Sequence, residues 1–369
     1  MDHKNQHRWH LLFVLPNLVL KEPIECGFVA LVPNQDSRLD EARVGASGKL
    51  LSSFENPFQK ALQPTALITY QSAEERQPLD ALLAFRNAVA LAALIDEWTK
   101  AHRHPGNGGV LYSDWFDLHP FTPSNDNTRI VISSPTTSGA SFPDSFRGQC
   151  SAAIPYPFHL PLLLRDRTPL NPLLRQWHER LVQKKRERKT TVLFRSLAIA
   201  FEAAKFPSNP TLYEIGTRVV LWVSAFEVLV HPGHSGQADL GKVLDLLSKA
   251  AWQEKRLKDR KFRIKLNKKT TRTATLCEKL YKQLYDARND FAHGNPVNIH
   301  NIVPFKNKNL PHFHSIAPLI YRAALSAYLG LKAPPVSPQT GLHATKEGVQ
   351  YSFSQSNYAD ALLSAMGAE

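Results

Sequence analysis

Arg288, Asn289 and His293 stand close together in the stretch from Thr275 to Gly294, TLCEKLYKQLYDARNDFAHG, and their types suit chemistry on a phosphate. An imidazole with an ordinary pKa of about 6.5 can take a proton from a hydroxyl or give one to a leaving oxygen at neutral pH. A guanidinium cannot, because it stays charged, but its planar fork matches a phosphate and stabilises charge growing in the transition state. Asn289 is the polar helper, suited to holding the imidazole or the phosphate. The reaction that fits is cleavage of RNA by its own 2′-hydroxyl without a metal, which DNA lacks the group to undergo. Without context the pattern is weak, since a His at a helix end near acidic residues is more often a surface group or a partner of the helix dipole.

The element that must position these residues is a helix. Leu276, Leu280, Leu284, Ala287 and Phe291 recur at three- and four-residue steps, which gives one apolar face to bury. Gly294 suits the left-handed position just past the helix end. On such a helix Arg288 and His293 lie roughly 140° apart, whereas Asn289 and His293 share a face and Asp290 and His293 nearly do. Two helix ends brought together in a dimer would supply Arg from one copy and His from the other.

Further helices are expected around it: Val192 to Lys205, Leu212 to Val230, Leu240 to Ala251 and Ile316 to Leu329. Asn171 and Pro172 start another, carrying Leu173, Leu174, Trp177 and Leu181 into a basic cluster at Lys184, Lys185, Arg186, Arg188 and Lys189. Residues 254 to 272 hold ten basic residues against two acidic ones. The first six are Lys255, Arg256, Lys258, Arg260, Lys261 and Arg263. Lys265, Lys268, Lys269 and Arg272 complete the set, with Phe262, Ile264 and Leu266 interleaved. After about residue 335 a weakly ordered tail is expected, with a short helix at Tyr358 to Met366.

The first 170 residues read differently. Short apolar runs at Leu11 to Leu15, Phe28 to Val32, Ala66 to Tyr70 and Ile130 to Ser133 alternate with Pro-, Gly-, Asn- and Ser-rich loops. One helix, Leu79 to Trp98, is apolar around most of its circumference and must be buried. This predicts an α+β fold overall: a mixed N-terminal domain over 1–170, a helical basic connector over 171–190, a helical bundle over 191–333 and a tail over 334–369. Trp115, Phe116, Phe121, Phe142, Phe146, Tyr156 and Phe158 either stack bases or, as is commoner, pin loops to the core.

The 369 residues carry 45 Lys and Arg against 32 Asp and Glu, a formal charge of +13 that argues for a polyanionic partner, nucleic acid or membrane surface. Cys26, Cys150 and Cys277 support neither a disulfide framework nor a cysteine zinc site, and a cytoplasmic setting is expected. The run from Trp9 to Leu20 is interrupted by Pro16 and Asn17, is too short to span a bilayer, and reads as a strand. His293, His300, His312 and His314 with Asp286 and Asp290 have the donor chemistry for zinc or manganese but not the spacing of a metal motif, so no metal or other cofactor is expected. Arg86 and Asn87 imitate the start of the Arg–Asn–His pattern, yet Leu91 stands where a His is needed. P-loop, dinucleotide-binding and GxSxG patterns are absent.

The helix ending ARNDFAHG, preceded by LWVSAFEVLV and followed by SIAPLIYRAALSAYLGL, resembles the HEPN superfamily, most closely its ApeA-like branch. Its signature is an Arg, a polar residue and a His after four to six intervening positions; Arg288, Asn289 and His293 match with four. The resemblance covers about residues 190 to 333. It implies an all-α bundle that forms a homodimer or a higher even oligomer and cuts RNA without a metal, with Arg288 and His293 catalytic and Asn289 assisting. It further implies that Glu227 supports them by orienting Arg288, unless it is an ordinary surface partner; Asp290, which nearly shares a face with His293, is a further supporting residue. The basic segment 254–272 would contact RNA phosphates as an insertion, or be a solvated loop. Members act in antiviral defence or toxin-like growth arrest, so the N-terminal domain would sense a trigger ligand or protein. The alternative is a non-catalytic module that binds RNA or a protein through the same cleft.

Overall fold

The computed structural model describes residues 8–56, 58–71, 79–104, 110–119, 121–123, 128, 130–133, 138–141, 158–159, 169–181, 183, 187–207, 211–233, 236, 238–252, 254–267, 269–332 and 346–367. The fold is α+β, with an N-terminal mixed region and a helical C-terminal part. Contacts divide the chain into two units: Met1–Arg86 with Asp114–Leu162 and Leu181–Gln183, and Asn87–Ser113 with Leu163–Arg180 and Lys184–Glu369.

In the first unit, β1 (Arg8–Leu15), β2 (Leu18–Val19), β3 (Ile24–Cys26) and β4 (Val29–Val32) precede α1 (Ala46–Ser52) and β5 (Thr65–Gln71). The strands order as β1-β5-β4-β3, antiparallel throughout, with a register shift between Leu11 and Phe13. Leu11, Val14, Ala30, Val32 and Ile68 of one sheet face pack with Leu50, Leu51 and Phe54 of the α1 region, and Val29, Leu31 and Leu67, which alternate with them, are buried as well. Later in the chain, α2 (Leu79–Arg103) is followed by β6 (Phe121–Pro123), β7 (Ile130–Ser133), β8 (Ser138–Ser141) and β9 (Phe158–His159). The β6-β7-β8 strands form a second antiparallel sheet, and β9 pairs with β2 in parallel. All four apolar runs expected to be strands are strands. Of the aromatics weighed as base stackers, Phe116 is fully buried; Phe142, Phe146 and Tyr156 lie outside the described residues.

Residues of α2 from Asn87 onward belong to the helical unit, although the composition groups them with the N-terminal part. Val89, Leu91, Leu94 and Ile95 are all buried, which accounts for apolar residues on every side of the helix. Near its end His102 Nε2 lies 2.9 Å from the Ser315 carbonyl, and Trp98 meets Tyr112 edge-on at 5.6 Å.

The helical unit continues with α3 (Leu170–Leu181), α4 (Arg188–Ala203), α5 (Leu212–Val230), α6 (Leu240–Ser248) and α7 (Lys255–Lys258). Then come β10 (Phe262–Lys265), β11 (Thr271–Ala274), α8 (Leu276–Ala292), α9 (Phe313–Leu329) and α10 (Lys346–Ser364). Helix α5 is the hub and packs on α4, α6, α8 and α9. Its Trp222 and Phe226 meet Tyr321 of α9 at 5.5 and 5.3 Å, and Phe226 meets Tyr281 of α8 at 4.8 Å. Ser196 of α4 donates to the Ala225 carbonyl at 2.7 Å and shares a 2.6 Å hydrogen bond with Tyr321, satisfying buried polar groups at the centre. The described tail is longer in helix than expected: α10 covers 19 residues and buries Tyr351, Tyr358 and Leu362 at helical spacing.

Candidate active site

Helix α8 starts in a full capping box. Thr275 Oγ1 accepts from the Glu278 N–H, and Glu278 Oε2 accepts from the Thr275 N–H at 2.7 Å and its hydroxyl at 2.8 Å. Arg272 Nη2 lies 2.7 Å from the other oxygen of the buried Glu278 carboxylate. Leu276, Leu280, Leu284 and Ala287 are buried, as their spacing predicts, whereas Phe291 is only partly so. The helix ends at His293, followed by Gly294 at φ +71°, with the Asn295 N–H donating to the Asp290 carbonyl at 3.0 Å.

Gly216 of α5 brings that helix close to the end of α8. A Cβ there would lie 2.3 Å from the Phe291 ring, so only glycine fits without a shift. With Gly216 beside Phe291 and Phe226 beside Tyr281, the two helices run antiparallel.

Arg288 does not extend from the helix end but folds back toward the helix N-terminus, the direction helical side chains favour. Its guanidinium carbon sits 5.2 Å from the Tyr285 ring centre. Nη2 donates to both Glu227 oxygens at 2.9 Å, and Nη1 donates to Asn289 Oδ1 at 2.9 Å. The Arg288 and Glu227 side chains keep 23 % and 18 % of their exposure, so the pair is reachable from solvent. Burial pushes the Glu227 carboxyl above its ordinary range, and the Arg288 charge opposes that rise. Beneath lies Tyr281, whose hydroxyl is buried and has no hydrogen-bond partner among the described residues.

His293 is exposed, its N–H held by the Asn289 carbonyl at 3.0 Å. Asp290 takes a role different from the expected support of the catalytic pair. Its carboxylate accepts from Asn295 Nδ2 at 3.1 Å and Asn301 Nδ2 at 2.8 Å, and so anchors the chain leaving His293. Arg288, Asn289 and Glu227 are thus brought into one hydrogen-bonded group, with His293 one turn further on and Asp290 turned to the following loop.

The basic segment is built from secondary structure rather than being a solvated loop. After α7, strands β10 and β11 form an antiparallel hairpin pairing Phe262 with Ala274, Arg263 with Thr273, Ile264 with Arg272 and Lys265 with Thr271. Its turn is closed by Asn267, whose Oδ1 accepts from the Lys269 and Thr270 N–H groups. Two of the expected phosphate ligands already have acidic partners. Arg256 pairs with Glu254 at 3.0 Å and Asp360 at 2.7 Å, and Arg272 pairs with Asp245 at 2.6 Å besides Glu278. Arg260 rests 3.8 Å from Met366 Sδ. Lys255, Lys258, Lys261, Arg263, Lys265 and Lys269 are exposed, and Lys268 lies outside the described residues.

The histidines weighed as metal ligands are not gathered. His300 Nδ1 is 2.9 Å from the Lys306 carbonyl, and His314 is buried against Tyr112 and Trp98. Among the described residues no group of three or more His, Cys, Asp or Glu could hold a metal ion, and no helix is long and apolar enough to cross a membrane. Sequence reasoning missed Tyr285, Asn301 and Gly216. The first stands three residues before Arg288, and a glycine inside an apolar helix is itself a sign of close approach. No known protein family, curated protein or solved structure matches the chain.

Proposed function

We propose that this protein is an endoribonuclease of the HEPN type, cutting RNA without a metal through Arg288 and His293. The observation that carries the reading is the polar group at the end of α8: Arg288 held by Glu227 and Asn289 yet open to solvent, with exposed His293 beyond it. His293 takes the proton of a ribose 2′-hydroxyl, and that oxygen bonds to phosphorus. The bond to the 5′-oxygen breaks, and this oxygen leaves with a proton from solvent. The products are a 2′,3′-cyclic phosphate and a 5′-hydroxyl. Arg288 stabilises the charge on the phosphoryl oxygens, and Glu227 fixes where its guanidinium lies. Because Arg288 folds back from the helix end that presents His293, the two act across a pair of copies, Arg from one and His from the other. The unit built on the β1–β5 sheet recognises the trigger, and the activity serves defence or growth arrest in the cytoplasm.

Purified protein incubated with RNA in EDTA tests this. Cleavage to cyclic-phosphate ends, lost in both Arg288→Ala and His293→Ala, supports the reading; cleavage unaffected by either removes this site from consideration. The second reading, a non-catalytic binding module, draws on the fact that Glu227 and Asn289 already occupy three donor contacts of Arg288. It predicts RNA binding without products.

A further inference from the structure

The hairpin sorts its residues by strand periodicity. Phe262, Ile264, Arg272 and Ala274 share one face, where Ile264 and Ala274 are buried and Phe262 meets Phe305 at 6.3 Å. Lys261, just before β10, falls with Arg263 and Lys265 on the opposite face, beside the cross-strand partners Thr273 and Thr271. All five are exposed, and none is acidic. Arg272, on the inner face, is the hairpin cation already matched by carboxylates.

Successive cations on the outer face stand about 6.8 Å apart, two strand residues each. That repeat is comparable to the step between neighbouring phosphates of an extended nucleic-acid strand, and the two threonine hydroxyls add donors for phosphate oxygens. The face presents no apolar side chain to enter a lipid layer, since the hairpin's buried apolar groups point inward. An evenly spaced row of cations with hydroxyls and no apolar anchor fits a polyphosphate backbone better than a membrane.

We propose that the outer face of the β10–β11 hairpin is a sequence-independent binding site for the phosphate backbone of RNA. Resting on the ribonuclease reading, it captures the strand that flanks the one cut at α8. The hairpin leads straight into α8, and about 18 Å of helix separates Leu276 from Arg288, so an RNA must exceed a few nucleotides to touch both.

The test uses the full chain and 2′-O-methyl RNA of about 20 nucleotides, which the proposed chemistry cannot cut. The double variant R263E/K265E, with its circular dichroism and melting midpoint matched to the original, is expected to bind about tenfold or more weakly. The slope of log K against log salt should fall by about one or more. Cleavage of a long RNA should slow in the variant. Unchanged binding by the folded variant overturns the proposal. So does binding to anionic lipid vesicles that is lost in the variant while RNA binding is kept. If the original protein binds 2′-O-methyl RNA through Arg263 and Lys265 but cuts no RNA, the phosphate site stands and the nuclease reading alone fails.

Discussion

Helix α8 carries an Arg–Glu pair at each end, and the two pairs are built for different purposes. At the start, Glu278 is buried, and both its oxygens are spoken for: one by the Thr275 N–H and hydroxyl, the other by Arg272. There the carboxylate is the centre of the arrangement, and the arginine covers it. Toward the other end Arg288 is the centre, held by Glu227, Asn289 and the Tyr285 ring while it keeps contact with solvent. A capped helix start stabilises the fold, whereas a cation fixed in place beside solvent is ready to meet an anion.

The largest expected effect lies at the second pair. Arg288→Ala or His293→Ala should lower RNA cleavage by about a thousandfold or more, because each removes a group that the proposed reaction needs in its transition state. His293→Ala should leave the melting midpoint nearly unchanged, since an exposed side chain contributes within about 0.5 kcal/mol. At the first pair the pattern should reverse. Glu278→Ala should cost about 1–3 kcal/mol of stability by denaturant titration, with kcat of the folded fraction preserved. A large loss of kcat in folded Glu278→Ala would break the distinction between the two ends.

Gly216→Ala should cost about 1–3 kcal/mol, because the new methyl meets the Phe291 ring. It should also lower cleavage by shifting the end of α8. Adding Phe291→Ala should recover part of that stability; strictly additive losses would show that the two residues do not press on each other. Glu227→Gln should reduce kcat with little change in KM, whereas a rise in activity would mean that Glu227 restrains Arg288 rather than positions it.

The smallest effect concerns pH. Burial depresses His314 to about 4, assisted by Arg218 and His312, and depresses His119 of the sheet unit to about 4. Unfolded imidazoles bind protons below about 6.5, so the unfolded chain takes up more protons than the folded one between the two values. Stability should therefore be fully present at pH 7 and fall as the pH drops from about 6.5 toward 4. His314→Phe should remove part of the slope of the melting-midpoint profile over that window, His119 keeping the rest, and an unchanged slope would show that His314 does not contribute.

Much of this was legible in local pattern. The three- and four-residue steps of α8, its glycine stop, the four β runs and the bundle helices follow from the periodicity of neighbouring residues. What was not legible depends on partners far along the chain. Glu227 lies 61 residues before Arg288, and Arg256 finds Asp360 104 residues later. The hairpin was hidden differently: its alternation of Lys261, Phe262, Arg263, Ile264 and Lys265 is plain, but the density of charge drew attention to phosphate contacts and away from strand pairing. Asp290, read as support for catalysis, holds the following loop because Asn295 and Asn301 return to it.

The central claim, an Arg from one copy acting with a His from another, is tested most directly by mixing two inactive proteins. Arg288→Ala and His293→Ala, each inactive alone, are combined under conditions that allow subunit exchange and assayed on RNA in EDTA. Cleavage restored to about a quarter of the original is expected, since half the pairs are mixed and one of their two sites is intact. A mixture as inactive as its folded parents, beside an active original protein, would contradict a site shared between copies.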